Sequence, residues 1–571
     1  MLVEIAECRN DSVSSSSSHA ASGMKLSSMR DHELPWYTGT DEAGSSGKSE
    51  DISEIEARVA AMSDALLAGT YGDEPWRRLL VDLLEFHRRE SKPGWWAMFT
   101  RQELDHTALL EDAECLAGLT AHPRIAPRAE KRSMIHAFHF PVQDFKLKIG
   151  DKPKRAVTLE PAGEVISIDE DELTIELKLG PSRSAIDEGT SLIPSGPIGD
   201  IPLRKAIYRF AEAVRDEQLE KYSAIVSVLR RDLPSLVGRK HGADIISSPE
   251  EQLPETINAL LALNSSYLLI QGPPGSGKTY TASRAIVALL EAGKRIGVAS
   301  NSHKAINQLI QEVESLASER GQSFRGIKKS SREDQMLNTG DWIEETLKNT
   351  DISGSHQLVA GTAWLFAREE NDQAFDYLFV DEAGQVGLAN IVAMGVAARN
   401  IVLVGDQMQL SQPIQGTHPG GSGVSALEHL LEDHATVPAN RGVFLSQTRR
   451  MHPDLCSFIS AAVYDRRLGS AEGLAQQKIL ADPKADSEAI ASAGLRFVYV
   501  ESEGCTQRSE PEVARLNKTY RALLGQMWRD KEEIEHQIGT DDILVVSPYN
   551  MQVELLNDGP VTIVIDTKHK E

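Results

Sequence analysis

Only four cysteines occur in 571 residues, Cys8, Cys115, Cys456 and Cys505, and none stands in a CxxC pair. That scatter excludes a disulfide framework and offers no zinc or iron–sulfur ligand set, leaving isolated reduced thiols. No apolar run reaches the roughly 18 residues of a spanning helix, and the first residues lack a basic segment followed by a long apolar one. A cytoplasmic protein without a membrane partner is therefore predicted. Basic excess is missing too: 60 Lys and Arg stand against 84 Asp and Glu, a formal net charge of -24. A uniformly basic nucleic-acid coat is excluded, whereas a local basic channel between domains is not.

What is present is length and a globular composition, 41% hydrophobic and 25% charged, enough for about three or four domains. Residues 1–50 are polar and Ser/Gly-rich, including the run Ser14 to Ser18, and have too few large apolar residues for a core, so a disordered tail is predicted. A helical linker region is expected over 51–135, where Pro75 suits a first turn and Trp76, Leu79, Leu80, Leu83 and Leu84 share one face. Over 136–185, short segments such as Phe138–Phe140, Val165–Ile168 and Leu173–Leu177 between Gly and Asp turns suggest a small β-barrel. A helical stalk over 186–250 follows. From Tyr267 onward, apolar runs of four or five residues alternate with helical stretches, as in a parallel α/β sheet.

Gly272-Pro273-Pro274-Gly275-Ser276-Gly277-Lys278-Thr279 fits GxxxxGK[ST], follows the strand-like Tyr267–Ile270 and opens a helix with the face Ala282, Ile286, Leu289 and Leu290. Glycines let backbone amides wrap phosphate oxygens, and the helix N-terminus adds positive potential. Lys278 can reach the β and γ phosphates of ATP, and the Thr279 hydroxyl can hold Mg2+. Tyr280 is counted with this nucleotide-binding stretch. A second apolar strand, Tyr377–Val380, ends in Asp381-Glu382: the first carboxylate suits magnesium, the second suits orienting or deprotonating the attacking water. A third, Ile401–Val404, ends in the polar cluster Gly405 to Leu410, in which Gln409 is a candidate γ-phosphate sensor.

These residues resemble the superfamily-1B helicases of the Upf-like, DNA2/NAM7 type. QGPPGSGKTYTA is similar to their motif I, VDEAGQ to motif II, GDQMQLSQP to motif III, and TRRMHP (Thr448 to Pro453) to motif IV. The resemblance implies RecA-like parallel sheets in two domains, 251–440 and 441–571, ATP bound between them, and Arg450 as a γ-phosphate contact. ASNSHKAINQL resembles motif Ia and AGTAW motif Ic, which implies that Ser302, His303, Lys304, Gly361 and Thr362 lie near a single strand, DNA in preference to RNA. VVSPYNMQV (Val545 to Val553) resembles a strand and turn of the second domain. FHRRESKPGWWAMF (Phe86 to Phe99) resembles a linker of the bacterial subset fused to a RecB-like nuclease. That implies an inserted 1B-type barrel and a nuclease partner or missing nuclease domain.

Three departures accompany the resemblance. The adenine-reading Gln expected before the P-loop is replaced by Pro254, Glu255 and Thr256. The chain stops at Val564–Glu571, where the family continues with two motifs, the second bearing an arginine finger, so the second RecA-like domain is expected to be truncated. A nuclease half is not visible ahead of the helicase-like motifs, although Asp169, Glu176 and Lys178 form a D…ExK pattern and Gln218–Tyr222 reads QLEKY; strand alternation assigns Glu176 and Lys178 to a solvated face instead. Two functions remain open at this point: an ATP-dependent helicase or translocase, and a nucleotide-gated binding module with little or no turnover.

Overall fold

The computed structural model describes Val3–Glu4 and residues 52–546, except 182–184, 333–334, 338–339, 412, 483–489 and 502–508. Apart from the short strand Val3–Glu4, the predicted tail lies outside the described residues.

Eight parallel strands make the central sheet: β1 Tyr267–Gln271, β2 Ile296–Ala299, β3 Gly326–Lys329, β4 Ile343–Thr346, β5 Leu358–Gly361, β6 Phe375–Val380, β7 Ala398–Gly405 and β8 Gly442–Phe444. Their spatial order is β4-β3-β5-β2-β6-β7-β1-β8. β1, β2 and β5 are buried at every position, which is why they read as continuous apolar runs: helices cover both faces. On one face Leu268, Ile270 and Val298 pack with Ala282, Ile286 and Leu289 of helix Lys278–Glu291 and with Ile306 and Leu309 of helix His303–Glu319. On the other, Leu269, Leu378 and Leu403 meet Leu80 and Leu83 of helix Pro75–Leu84, Phe210 of helix Ile201–Arg215 and Ile225 of helix Ser223–Arg230. The stretches expected as a linker and a stalk thus belong to the same core as the nucleotide-binding sheet.

Boundaries differ from expectation in three places. Strands Leu116–Ala121 and Arg128–Glu130, assigned by sequence to the helical linker, and Thr190–Ile193, assigned to the stalk, join Ser133–His139, Glu164–Asp169 and Thr174–Leu179 in one antiparallel sheet with its own core. Leu116–Ala121 alternates too weakly to announce a strand; its partners lie far along the chain. Beside strand Glu164–Asp169, Gly150 N donates to Val165 O at 2.8 Å and Val165 N to Asp151 O at 2.9 Å. Secondly, Gly442–Phe444 pairs with β1 and extends the first sheet past residue 440. Thirdly, parallel pairing within the described residues after 445 is limited to Gln447–Thr448 with Gly469–Ser470. Helix Pro453–Val463, helix Glu510–Leu523 and a small antiparallel sheet of Lys478–Leu480, Met527–Arg529 and Glu535–Gln537 stand there. The segment Val545 to Val553 lies mostly outside the described residues.

Candidate nucleotide and nucleic-acid site

The carboxyl ends of β1, β6 and β7 stand side by side, and each hands its chain to a functional loop. After β1 the chain turns through Gly275 and Gly277, with φ of +73° and +90°, conformations that disfavour any residue with a Cβ. Gly275 has a second reason to be glycine: a Cβ there would sit 2.4 Å from Cβ of Arg450. Lys278 begins the helix, and its Nζ donates to the Gly272 carbonyl at 3.1 Å, 3.9 Å from Oε1 of Glu382. Thr279, one residue on, is half-buried at the loop's exit, while Tyr280 is exposed and stacked under Arg284, with Arg449 6.0 Å from its ring.

Asp381 is buried, with its Oδ1 lacking a hydrogen-bond partner among the described residues. Burial first, then the adjacent Glu382 carboxylate, push its pKa up to about 6, against the smaller opposing pull of Lys278. A buried carboxylate oxygen without a donor is costly, and a divalent cation is the group that would relieve it. Ser276 Oγ, inside the loop, is likewise unpartnered. A phosphate-wide cradle beside a buried, unsatisfied carboxylate fits a magnesium nucleotide. Glu382 itself takes φ +52° and ψ 40° and remains partly exposed, clear of the sheet edge. Strain of this kind is stored where a side chain must be aimed.

Gln409 is fixed by a side chain rather than by the backbone: its Nε2 donates to Asp406 Oδ2 at 3.2 Å, and Tyr464 donates to the same oxygen at 2.6 Å. Sequence reasoning gave neither Asp406 nor Tyr464 a role; an aspartate directly after an eight-residue buried strand was the available signal. The segment Thr448–Arg450 lies against the P-loop, with Thr448 Oγ1 donating to Pro274 O at 2.9 Å and Arg449 N to Gly275 O at 2.8 Å. Arg450 is thereby placed at the loop by its backbone and Cβ, its side chain exposed. Gln252, also missed, begins helix Gln252–Leu261 and donates to Phe444 O at 2.7 Å, one residue from Leu445, which flanks Gly272.

β2 and β5 are neighbours, so Ser302–Lys304 and Gly361–Thr362 leave the sheet at the same edge. Ser302 spends its hydroxyl as the cap of helix His303–Glu319, accepting from Lys304 N and Ala305 N at 3.2 and 3.4 Å. His303 Nε2 lies 3.4 Å from Ser331 Oγ, Lys304 is exposed, Gly361 is buried and Thr362 half-buried. The D…ExK pattern is not a metal centre. Glu176 is engaged by Arg128 and Ser167, Lys178 by Glu130 at 2.8 Å, and Asp169 by its own turn. Among the described residues no group of three or more acidic, His or Cys side chains is placed to hold a metal. In QLEKY, Lys221 and Tyr222 both bind Asp372, at 2.7 and 2.8 Å, a structural use.

Two family models, each described as an AAA domain, match residues 250–419 and 422–561. With the P-loop, the Asp-Glu pair and their parallel sheet, the matched residues form AAA domains, and these matches together with the relatives support a superfamily-1 helicase. This helicase-type chain is similar to DNA replication ATP-dependent helicase/nuclease JHS1 of Arabidopsis thaliana, 26% identical over 52% of this chain and 23% of that one. It is similar to DNA replication ATP-dependent helicase/nuclease dna2 of Schizosaccharomyces pombe, 30% identical over 41% and 17%. DNA-binding protein SMUBP-2 of Rattus norvegicus is 23% identical over 78% of this chain and 46% of its own length. The helicase-type chain therefore spans less than half of each of these relatives. No described helix is long and apolar enough to cross a membrane.

Proposed function

We propose that this chain is an ATP-dependent helicase or translocase acting on single-stranded nucleic acid, DNA in preference to RNA. The observation that carries the reading is the buried, unsatisfied Asp381 oxygen beside Glu382 and the P-loop lysine. The names of the relatives, DNA helicases among them, support the choice of DNA.

In this reading Thr279 and Asp381 hold Mg2+, which when bound neutralises phosphate charge. Lys278 and the amides of Gly272–Thr279 hold the β and γ phosphates, with the glycines giving room for close approach. Glu382 orients the attacking water and takes its proton. Gln409, aimed by Asp406, and Arg450, resting on Gly275, stand where the γ-phosphate is to be sensed. Gln252 takes the place of the adenine-reading glutamine, a few residues ahead of Pro254–Thr256. Lys304 and Thr362 grip backbone phosphates of the strand, and the antiparallel subdomain 116–193 serves as the 1B-like insertion. A nuclease would come from outside this chain's D…ExK segment, whose charges are engaged in ion pairs.

The alternative, a nucleotide-gated module without turnover, has no observation in its favour, since both carboxylates of a hydrolytic site are present. The test is ATP hydrolysis by the purified chain with and without single-stranded DNA, beside Lys278→Ala and Glu382→Gln. Turnover stimulated by DNA, absent in Lys278→Ala and reduced at least ~100-fold in Glu382→Gln, supports the motor. Tight ATP binding with no turnover in any condition would sink it.

A further inference from the structure

Helix Phe86–Glu103 buries few of its own residues, Phe86, His87 and Met98, yet it touches two separate parts of the molecule. Near its start Glu90 receives three hydrogen bonds from the loop that follows Gln409. Gln415 N donates to Oε1 at 2.8 Å, and Gly416 N and His418 Nε2 reach Oε2 at 3.0 and 2.8 Å. One turn earlier Phe86 stacks on the His418 ring, centroids 4.2 Å apart. The loop lies backbone to backbone on the helix: a Cβ on Gly416 would fall 2.6 Å from the Arg89 carbonyl oxygen.

Further along, the same helix enters the antiparallel subdomain. Met98, with Trp95 and Phe99, shares a small core with Cys115, Ala117, Ala156 and Ile193. Between these two attachments a cavity of about 710 Å³ separates the helix from Trp364 and Gln385, at the ends of β5 and β6. The helix therefore bridges the loop of the γ-phosphate sensor and the subdomain, and Glu90 is the polar fastening at the sensor end. Burial would raise the Glu90 pKa, but the three donors outweigh it and hold the carboxyl below its usual range, so the fastening is charged at neutral pH and its bonds are of the stronger, charge-assisted kind.

We propose that Glu90 is a positioning residue that fastens the loop after Gln409 to helix Phe86–Glu103, so that a change at the nucleotide site displaces the antiparallel subdomain and strand binding there is felt at the nucleotide. This rests on the motor reading above. Glu90 lies outside the phosphate and metal machinery, so its loss leaves hydrolysis without DNA intact and removes the communication.

The experiment compares the full chain with Glu90→Gln and Glu90→Asp for ATP turnover with and without single-stranded DNA, with thermal unfolding recorded for each. Expected are basal kcat and KM within about twofold of the parent, and stimulation by DNA reduced about tenfold in Glu90→Gln, within the ~5–150-fold usual for coupling between sites. Glu90→Asp, which keeps the charge, restores part of it. Full stimulation in a folded Glu90→Gln overturns the proposal, as does a proportional loss of basal and stimulated rates, which marks a purely structural role. If Glu90→Gln does not fold, His418→Ala, which removes one of the three bonds, is judged by the same two outcomes. A parent chain that hydrolyses ATP but ignores DNA overturns the motor reading instead.

Discussion

The phenol of Tyr464 donates a 2.6 Å hydrogen bond to the buried carboxylate of Asp406, on the oxygen that also accepts from Gln409. Tyr464 caps the end of helix Pro453–Val463, so the bond ties the segment that carries Arg450 to the loop that carries Gln409. Burial and the neighbouring carboxylate raise the phenol's pKa, and it stays a donor throughout the working pH range. In Tyr464→Phe, Asp406 loses a charge-assisted bond and Gln409 loses its fixed anchor. We expect kcat for ATP to fall about tenfold with KM nearly unchanged, and stability in urea to drop by roughly 1–3 kcal/mol. An unaltered kcat in the folded variant would show that Gln409 needs no such anchor.

How far the sequence could carry these assignments depended on whether a contact is local. The P-loop was legible because its glycines, its lysine and the flanking strand and helix are contiguous; the same holds for Asp381-Glu382 at the end of β6. The Asp406–Tyr464 bond joins residues 58 apart, and no local pattern announces it. Ser302 was singled out by resemblance to motif Ia, but its hydroxyl serves as the cap of the helix that follows, a role serine commonly takes. The strand Leu116–Ala121 failed for a related reason: it lies inside its sheet, and its weak alternation becomes a strand only through pairing with Ser133–His139 on one side and Thr190–Ile193 on the other. After residue 445 the expected parallel sheet was carried by resemblance rather than by residues, and the described strands there are two or three residues long, some paired in parallel and some antiparallel.

Asp381 is destabilising when charged and metal-free. Its folded pKa of about 6 lies above the ordinary 3.8, so the group's contribution to stability is full below the ordinary value and lost as pH rises through about 6. Asp381→Asn should therefore raise stability near pH 8 in EDTA by on the order of 2 kcal/mol, while abolishing magnesium-dependent turnover. Magnesium should stabilise the parent chain and not the variant. Equal unfolding midpoints for the two proteins in EDTA would contradict the burial argument.

Lys304 and Ser302, neighbours at the amino end of helix His303–Glu319, should separate cleanly. Lys304 is exposed and, in the proposed function, meets a strand phosphate; Lys304→Ala should weaken single-strand binding for all sequences alike and lower the slope of log affinity against log salt by roughly 1. Ser302→Ala removes the helix cap and should cost about 1 kcal/mol of stability with the salt slope unchanged. Fluorescence anisotropy across a salt series reads both. An unchanged slope in Lys304→Ala would remove this residue from the strand's path.

His429 sets an acid limit that is independent of the nucleotide. It is buried on helix Ala426–Leu431, with Nε2 3.1 Å from the Val228 carbonyl oxygen. Burial first, then Arg231, lowers its pKa from 6.5 to about 4. A histidine depressed in the fold opposes folding when protonated: its stability contribution is complete above pH 6.5 and falls as pH drops from there to about 4. The neutral ring donates to the Val228 carbonyl, joining helix Ala426–Leu431 to helix Ser223–Arg230. In His429→Gln the amide can still donate but cannot take up a proton, and the variant should lose on the order of 2 kcal/mol less than the parent between about pH 7 and pH 4.5. Urea unfolding at the two pH values measures the difference; identical pH dependence in parent and variant would place the acid sensitivity elsewhere.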